Sequence, residues 1–294
     1  MDRIDLLEIF TAIADLGSMA AVARARGQTP SRITASLKRL EDIAGVQLVQ
    51  RSTRKLSLTP EGDLFLADCR RILQQIDSAF DRAAPHGSLR GRIRITTTND
   101  LGRTRLPPII DSFLASNPDI RIDLMLNDGV TDIVGSGIDL AIRTGPLKDS
   151  SLKSRLLLRG TRQVCAAPGY WDRHGRPSHP RDLAKHNCLI INRDGAPQST
   201  WHFNDGDEHI SVPVSGDRSA NDGGAVREWA IAGGGVALKS SNDIQPDIQA
   251  GRLEAVLEEY SRGEVNIYAV TPGDARPARR VEAFIEHLAA ALTH

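Results

Sequence analysis

The sequence predicts an α/β protein in two unequal parts: a small helical head on a long helix, and a larger two-lobed body. Three observations carry this. Four helical hydrophobic patterns, three of them opened by start signals, fill the first 83 residues, basic residues crowd the head, and strand-like and helix-like patterns alternate from residue 92 onward. At roughly 150 residues per domain, 294 residues suffice for about two domains. The expected boundaries are 1–62 for the head, 63–91 for the long helix and hinge, and 92–294 for the body.

Leu6, Phe10, Ile13 and Ala14 recur at helical spacing until Gly17-Ser18 interrupts them. Ser18 is an N-cap residue for a short alanine-rich helix from Met19 to about Arg26, and Gly27-Gln28 forms the following turn. Thr29-Pro30 starts a third helix, because threonine caps free N–H groups and proline is tolerated at the first helical position. There Ile33, Leu37 and Leu40 form one buried stripe. The free side carries Ser31, Arg32, Ala35, Ser36 and Arg39, with Thr34 and Lys38 on its flanks. After Gly45, residues 46–50 and 56–59 have strand character and bracket a basic tip. Three helices and a hairpin in this order predict a winged helix-turn-helix.

Charge supports a polyanionic partner. Lys plus Arg equals Asp plus Glu at 37 each, but the 32 residues from Arg24 to Lys55 hold eight basic and two acidic residues, a net +6 that leaves −6 elsewhere. A helix fits the major groove of duplex DNA, so Ser31, Arg32, Ala35 and Ser36 are candidate base readers. Ser18, Thr29, Thr34 and Lys38 surround them as candidate phosphate contacts, and Arg51, Arg54 and Lys55 would bring the wing to the backbone or minor groove. The plainer alternative is a solvated basic face.

Thr59-Pro60-Glu61-Gly62 repeats the helix-start pattern. Beyond it Phe65, Cys69, Ile72, Ile76 and Ala79 or Phe80 step close to a heptad seam, predicting pairing between two chains. A homodimer presents two heads to half-sites about 34 Å apart. Pro85, Gly87 and Gly91 then punctuate the hinge.

In the body, residues 92–98, 106–114 and 120–126 read as a βαβ unit, and a helix from Thr131 leading to a strand at Leu140 continues the rhythm of a mostly parallel sheet. A second lobe starts near residues 163–166 and includes strands at 188–191, 212–214 and 236–238, with an Asn221-capped helix to Ile231. The chain returns through 265–270 and closes with a helix over 278–292. Two crossings make a hinged cleft. Ligands of such sheets sit beyond the carboxyl ends of strands, where Thr97, Thr98, Asn99, Thr131, Arg143 and Asn221 are expected to meet a small-molecule effector, an organic carboxylate suiting their donors. Those groups could equally cap helices, and Arg143 could pair with Asp139.

Other functions find little support. No apolar run is long enough to span a membrane and the first residues are acidic, which argues for a cytoplasmic protein. Cys69, Cys165 and Cys188 have no metal or disulfide spacing, and the histidines at 174, 179, 186, 202 and 209 form no zinc motif, so no metal and no cofactor are expected. No nucleophile elbow is present, and Gly233-Gly234-Gly235 follows a helix and lacks the phosphate-loop lysine. Scarce aromatic residues disfavour single-stranded nucleic acid. An enzyme is therefore not expected. A competing reading is a solute-binding or catalytic α/β protein whose head only oligomerises it, and a third is an architectural DNA protein with a degenerate sensor.

The stretch TPSRITASLKRLEDIAGVQLVQRSTRKLSLTPEG resembles the recognition helix, wing and linker-helix start of the LysR-type transcriptional regulators. TDIVGSGIDLAIRTGPLKDSSL, the Asn221-Asp222 helix start and GRLEAVLEEY resemble, more diffusely, the family's periplasmic-binding-protein-like effector domain. The resemblance implies a recognition surface at Thr29, Ser31, Arg32, Ala35, Ser36 and Arg39, wing contacts at Arg51 and Arg54, and an effector cleft near Thr97, Thr98, Asn99, Thr131 and Asn221. It further implies a dimer through the linker helices, often assembled as a tetramer, that acts at promoters and sometimes represses its own gene. The switching mechanism expected is a population shift in which the effector changes subunit geometry and hence DNA bend or RNA polymerase contact. Val49, Thr34 and Arg26 depart from the family's usual Phe, Ser and apolar residue.

Overall fold

A computed structural model describes residues 2–51, 56–83, 88–129, 133, 135–145, 152–193, 195–273 and 276–292. Arg54, Lys55 and Thr131 lie outside these, as does the side chain of Arg51. The chain forms two compact units, one of residues 1–87, 132–139 and 274–279, the other of residues 88–131, 140–273 and 280–294.

In the first unit α1 (Arg3–Leu16) stops at Gly17, whose left-handed φ of 61° lets its N–H reach the Ile13 carbonyl. Ser18 Oγ accepts from the Ala21 N–H at 3.3 Å and caps α2 (Met19–Ala25). Thr29 Oγ1 accepts from the Arg32 N–H at 3.4 Å at the start of α3 (Pro30–Ala44). Leu6, Ile9, Phe10, Ile13, Val22, Ile33, Leu37 and Leu40 close the core between these helices. The wing is the antiparallel pair β1 (Val49–Arg51) and β2 (Leu56–Leu58), starting later than the expected 46–50. Glu41 Oε1 accounts for its position: it accepts from the N–H groups of Leu48 and Val49 at 2.9 and 3.2 Å, tying the wing's base to α3.

The long helix α4 (Pro60–Ala83) starts where Thr59 Oγ1 donates to the Gln47 carbonyl and accepts from the Gly62 N–H. A Cβ on Gly62 would strike the Leu48 carbonyl oxygen. Gly62→Ala is therefore expected to cost about 1–3 kcal/mol by forcing α4 off the wing, measurable as a lowered denaturant midpoint. The expected heptad seam is corrected in part. Phe65 and Cys69 turn into the head: the Phe65 ring lies 5.7 Å from that of Phe10, and Cys69 is fully buried. The helix crosses α1 here and completes the head's own core. Ile72 and Phe80 stay exposed, joined by Leu64, while Ile76 is half-buried.

The second unit starts with β3 (Gly91–Thr97), α5 (Asn99–Thr104), α6 (Leu106–Ser116), β4 (Ile120–Leu126), β5 (Leu140–Thr144) and β6 (Leu152–Leu158). The chain then enters a second lobe with β7 (Arg162–Ala166), α7 (Pro168–His174), β8 (Ile190–Arg193), β9 (Ala196–Pro197), β10 (Thr200–Asp205), β11 (Glu208–Pro213), β12 (Ser219–Ala220), α8 (Gly223–Ile231), β13 (Ala237–Ser240), α9 (Ser241–Gln249) and β14 (Glu254–Val256). It returns through β15 (Ile267–Pro272) and α10 (Arg279–Leu292). The first lobe's sheet runs β4-β3-β5-β15-β6, parallel among β4, β3 and β5 and antiparallel where β15 returns. In the second lobe β13 and β14 flank β7 antiparallel, so the mostly parallel expectation is replaced by mixed sheets.

Three local expectations change. Residues 133 and 135–137 are turns rather than part of a helix, consistent with two glycines in that short stretch. The strand expected at 212–214 is the end of the longer β11, which stops at Pro213 and pairs with β10 in a hairpin whose Trp201, Phe203, Ile210 and Val212 cover the second lobe's core. The helix expected to be capped by Asn221 is capped instead by Asp222, whose Oδ1 accepts from the Gly224 and Ala225 N–H groups at 2.7 and 3.3 Å, while Asn221 is exposed.

Candidate DNA-binding face and effector cleft

With its apolar stripe buried, α3 turns Ser31, Arg32, Ala35, Lys38 and Arg39 to the outside. Arg32, Lys38 and Arg39 form no ion pair with any described residue. Thr29 and Ser31 are exposed and share a hydrogen bond of 3.0 Å, whereas Ser18 is half-buried in its capping role. Thr34 donates to Met19 Sδ at 3.3 Å from the flank. Ser36 does not belong to this face. It is 3% exposed and donates to the Arg32 carbonyl at 2.7 Å, because at 100° per residue it lies beside Leu40, on the edge of the buried stripe.

In the second unit the two lobes meet through charged groups. Asp100 of α5 holds Lys239 at the end of β13, and the same ammonium donates to the Gly223 carbonyl at 3.0 Å and faces Asp243 at 3.5 Å. Burial alone would lower the Lys239 pKa, but Asp243 and Asp100 together raise it, so the lysine stays charged. Asp128 bridges the lobes as well, accepting from the Asn99 N–H at 2.8 Å, Asn99 Nδ2 at 3.2 Å and the Gly223 N–H at 3.2 Å. Arg103 adds an ion pair with Asp222 at 2.9 Å.

The residues expected to line the cleft are not all brought together. Thr97 is fully buried. Thr98 occupies the N-cap position of α5 without a side-chain cap, and Asn99 is engaged by Asp128. Arg143 donates to the Asn127 carbonyl at 2.5 Å and to Thr96 Oγ1 at 2.9 Å; burial pushes its pKa down, with Asp128 opposing. The three thiols are buried, which pushes each up to about 12 and removes any ready thiolate. His179 caps a short 3-10 turn at Pro180–Lys185.

Comparison with known proteins matches residues 4–63 to the bacterial regulatory helix-turn-helix of the lysR family, and residues 86–293 to the LysR substrate binding domain. The chain belongs to the LysR family of transcriptional regulators. The HTH-type transcriptional activator TtdR of Escherichia coli (strain K12) is 31% identical over 285 residues, covering 97% of this chain and 92% of the relative. PtxR of Pseudomonas aeruginosa, an HTH-type transcriptional regulator, is 32% identical over 283 residues, covering 96% and 90%. Among solved structures, CrgA from Neisseria meningitidis, a LysR-type transcriptional regulator, aligns with a TM-score of 0.65 at 29% identity over 99% of each chain.

As a LysR-type regulator the chain carries a helix-turn-helix DNA-binding domain and an effector-binding domain. Its departures from the family's usual residues have local explanations. Arg26 reaches back to α1 and pairs with Asp5 and Glu8 at 2.7 and 3.1 Å, and Val49 is buried in the head core. Asp100, Asp128 and Lys239 escape notice in the sequence, although a lysine closing the apolar strand Val236 to Leu238 is a signal of a buried charge seeking a partner. Among the described residues no helix is long and apolar enough to cross a membrane.

Proposed function

We propose that this LysR-type regulator is a non-enzymatic, cytoplasmic homodimer or tetramer that holds promoter DNA through the outer face of α3. Ser31, Arg32 and Ala35 face base edges, while Thr29, Lys38 and Arg39 position the backbone together with Ser18, Thr34 and the wing residues Arg51, Arg54 and Lys55. The observation that carries this is the exposed cationic face of α3, whose Arg32, Lys38 and Arg39 have no ion pair with any described residue. A small molecule between the lobes shifts subunit geometry and hence DNA bend or RNA polymerase contact, which requires it to bind one geometry better than the other.

Selection of genomic fragments with and without a metabolite library tests both halves. Retention of particular promoter fragments whose recovery changes with a metabolite supports the reading; retention of no duplex overturns it. Arg32→Ala is expected to relax base discrimination by about 1–3 kcal/mol, read by binding to matched and mismatched duplexes, whereas Arg54→Ala weakens all duplexes nearly alike. Leu64, Ile72 and Phe80 leave an exposed apolar surface along α4 that suits pairing between chains. Ile72→Glu with Phe80→Glu is expected to shift sedimentation toward monomer, and an unchanged dimer would move the interface elsewhere.

A further inference from the structure

Along the cleft-facing edge of the second unit, the chain fills most of its own donors. Asp128 takes the N–H groups of Asn99 and Gly223, and Asp222 takes those of Gly224 and Ala225 together with Arg103. Lys239 is held by Asp100, and Arg143 by Asn127 and Thr96. The start of α8, the obvious cradle for an anion, is thus occupied from within.

Arg162 is different. It stands half-buried at the first position of β7, and its guanidinium has no hydrogen bond or ion pair with any described residue. Its register partner across the antiparallel pair is Ser240, which is 9% exposed and whose hydroxyl also lacks a partner among the described residues. Directly opposed residues place their side chains on one face of a sheet. On the other side of β13, the segment leading into β8 runs parallel to the segment leading into β13, through hydrogen bonds from the Leu189 N–H to the Val236 carbonyl and from the Val236 N–H to the Asn187 carbonyl, and β8 ends at exposed Arg193. Burial lowers the Arg162 pKa and nearby Arg193 lowers it further, with Asp243 opposing from its own contact with Lys239. A desolvated guanidinium without a partner is costly, and guanidinium groups suit bidentate recognition of carboxylate or phosphate.

We propose that Arg162, with Arg193 and the Ser240 hydroxyl, is the anion subsite of the effector cleft and takes the carboxylate or phosphate group of a small molecule. This deepens, and rests on, the reading of the second unit as an effector-binding domain. It also moves the anion away from Thr98, Asn99 and Arg143, where the sequence pattern alone suggested it.

Thermal unfolding of the full chain at constant ionic strength, with succinate, inorganic phosphate or uncharged succinamide, tests the subsite. Succinate or phosphate, but not succinamide, should raise the midpoint of the parent, and the effective anion identifies the group accepted. In Arg162→Met the concentration giving half the shift should rise at least tenfold, with Arg162→Lys in between. Without added anion, Arg162→Met should melt no lower than the parent, because it removes an unpartnered charge; a structural residue would destabilise when replaced. The subsite is overturned if neither anion shifts the parent, if parent and variant respond alike, or if Arg162→Met unfolds at markedly lower temperature. Retention of promoter DNA by the parent is measured separately, so its failure strikes the regulator reading and not the anion chemistry.

Discussion

Asp100→Ala is expected to lower the stability of the second unit by about 3–5 kcal/mol, because it strands the ammonium of Lys239 in a site with little water. Lys239 is 6% exposed and Asp100 likewise 6% exposed, so solvent cannot take over the role of the carboxylate. The remaining partners compensate only in part: the Gly223 carbonyl is neutral, and Asp243 faces the ammonium from 3.5 Å without the close contact that Asp100 makes. Asp100→Ala with Lys239→Met should recover most of the loss, since an apolar pair needs no charge compensation. Denaturant unfolding of the single and double variants decides, and a double variant no better than Asp100→Ala would show that packing, not the stranded charge, dominates. Because the folded pKa of Lys239 is raised above 10.5, its contribution is fully present below that pH and is lost as pH rises through the folded value. Parent stability attributable to this pair should therefore be flat across neutral pH. Asp100 and Lys239 sit on different lobes, so hydrogen exchange should also quicken at α5 and the start of α8 in the single variant.

The head was legible because its information is local. Cap residues, one-sided apolar spacing and turn glycines act within a few residues of one another, so Ser18, Thr29 and Gly45 mark helix limits without reference to the rest of the fold. Ser36 failed for a finer reason: its angular position is at the stripe's edge, and whether an edge residue is covered depends on the neighbouring helices. Phe65 and Cys69 failed similarly. Their spacing announces an apolar face on α4, but that the face meets α1 rather than a second chain is tertiary information. The cleft was less legible still. Asp128 and Gly223 are 95 residues apart and Asp100 and Lys239 are 139 apart, so their pairing leaves no periodic trace. The same holds for Arg162, whose distinction is the lack of a partner among the described residues.

Replacing Lys38 and Arg39 together by alanine is expected to weaken binding to every duplex and to flatten its salt dependence. Both side chains are exposed on α3 and lack ion pairs with described residues, so on a phosphate each would displace condensed counterions from DNA. Each phosphate contact adds about 0.9 to the steepness of log affinity against log salt concentration, so one engaged head should lose about 2 and two engaged heads about 4. The slope change therefore counts heads as well as contacts, independently of the sedimentation of the Ile72→Glu, Phe80→Glu variant. Arg32→Ala separates the remaining role on this helix: if Arg32 meets a base edge, its loss falls mainly on matched duplex and leaves non-specific affinity much less changed. A Lys38→Ala, Arg39→Ala protein with unaltered salt slope would remove those residues from the phosphate contacts. If the Arg32 variant also kept its preference among duplexes, the outer face of α3 would no longer be a credible reading surface, and the wing would have to carry recognition instead.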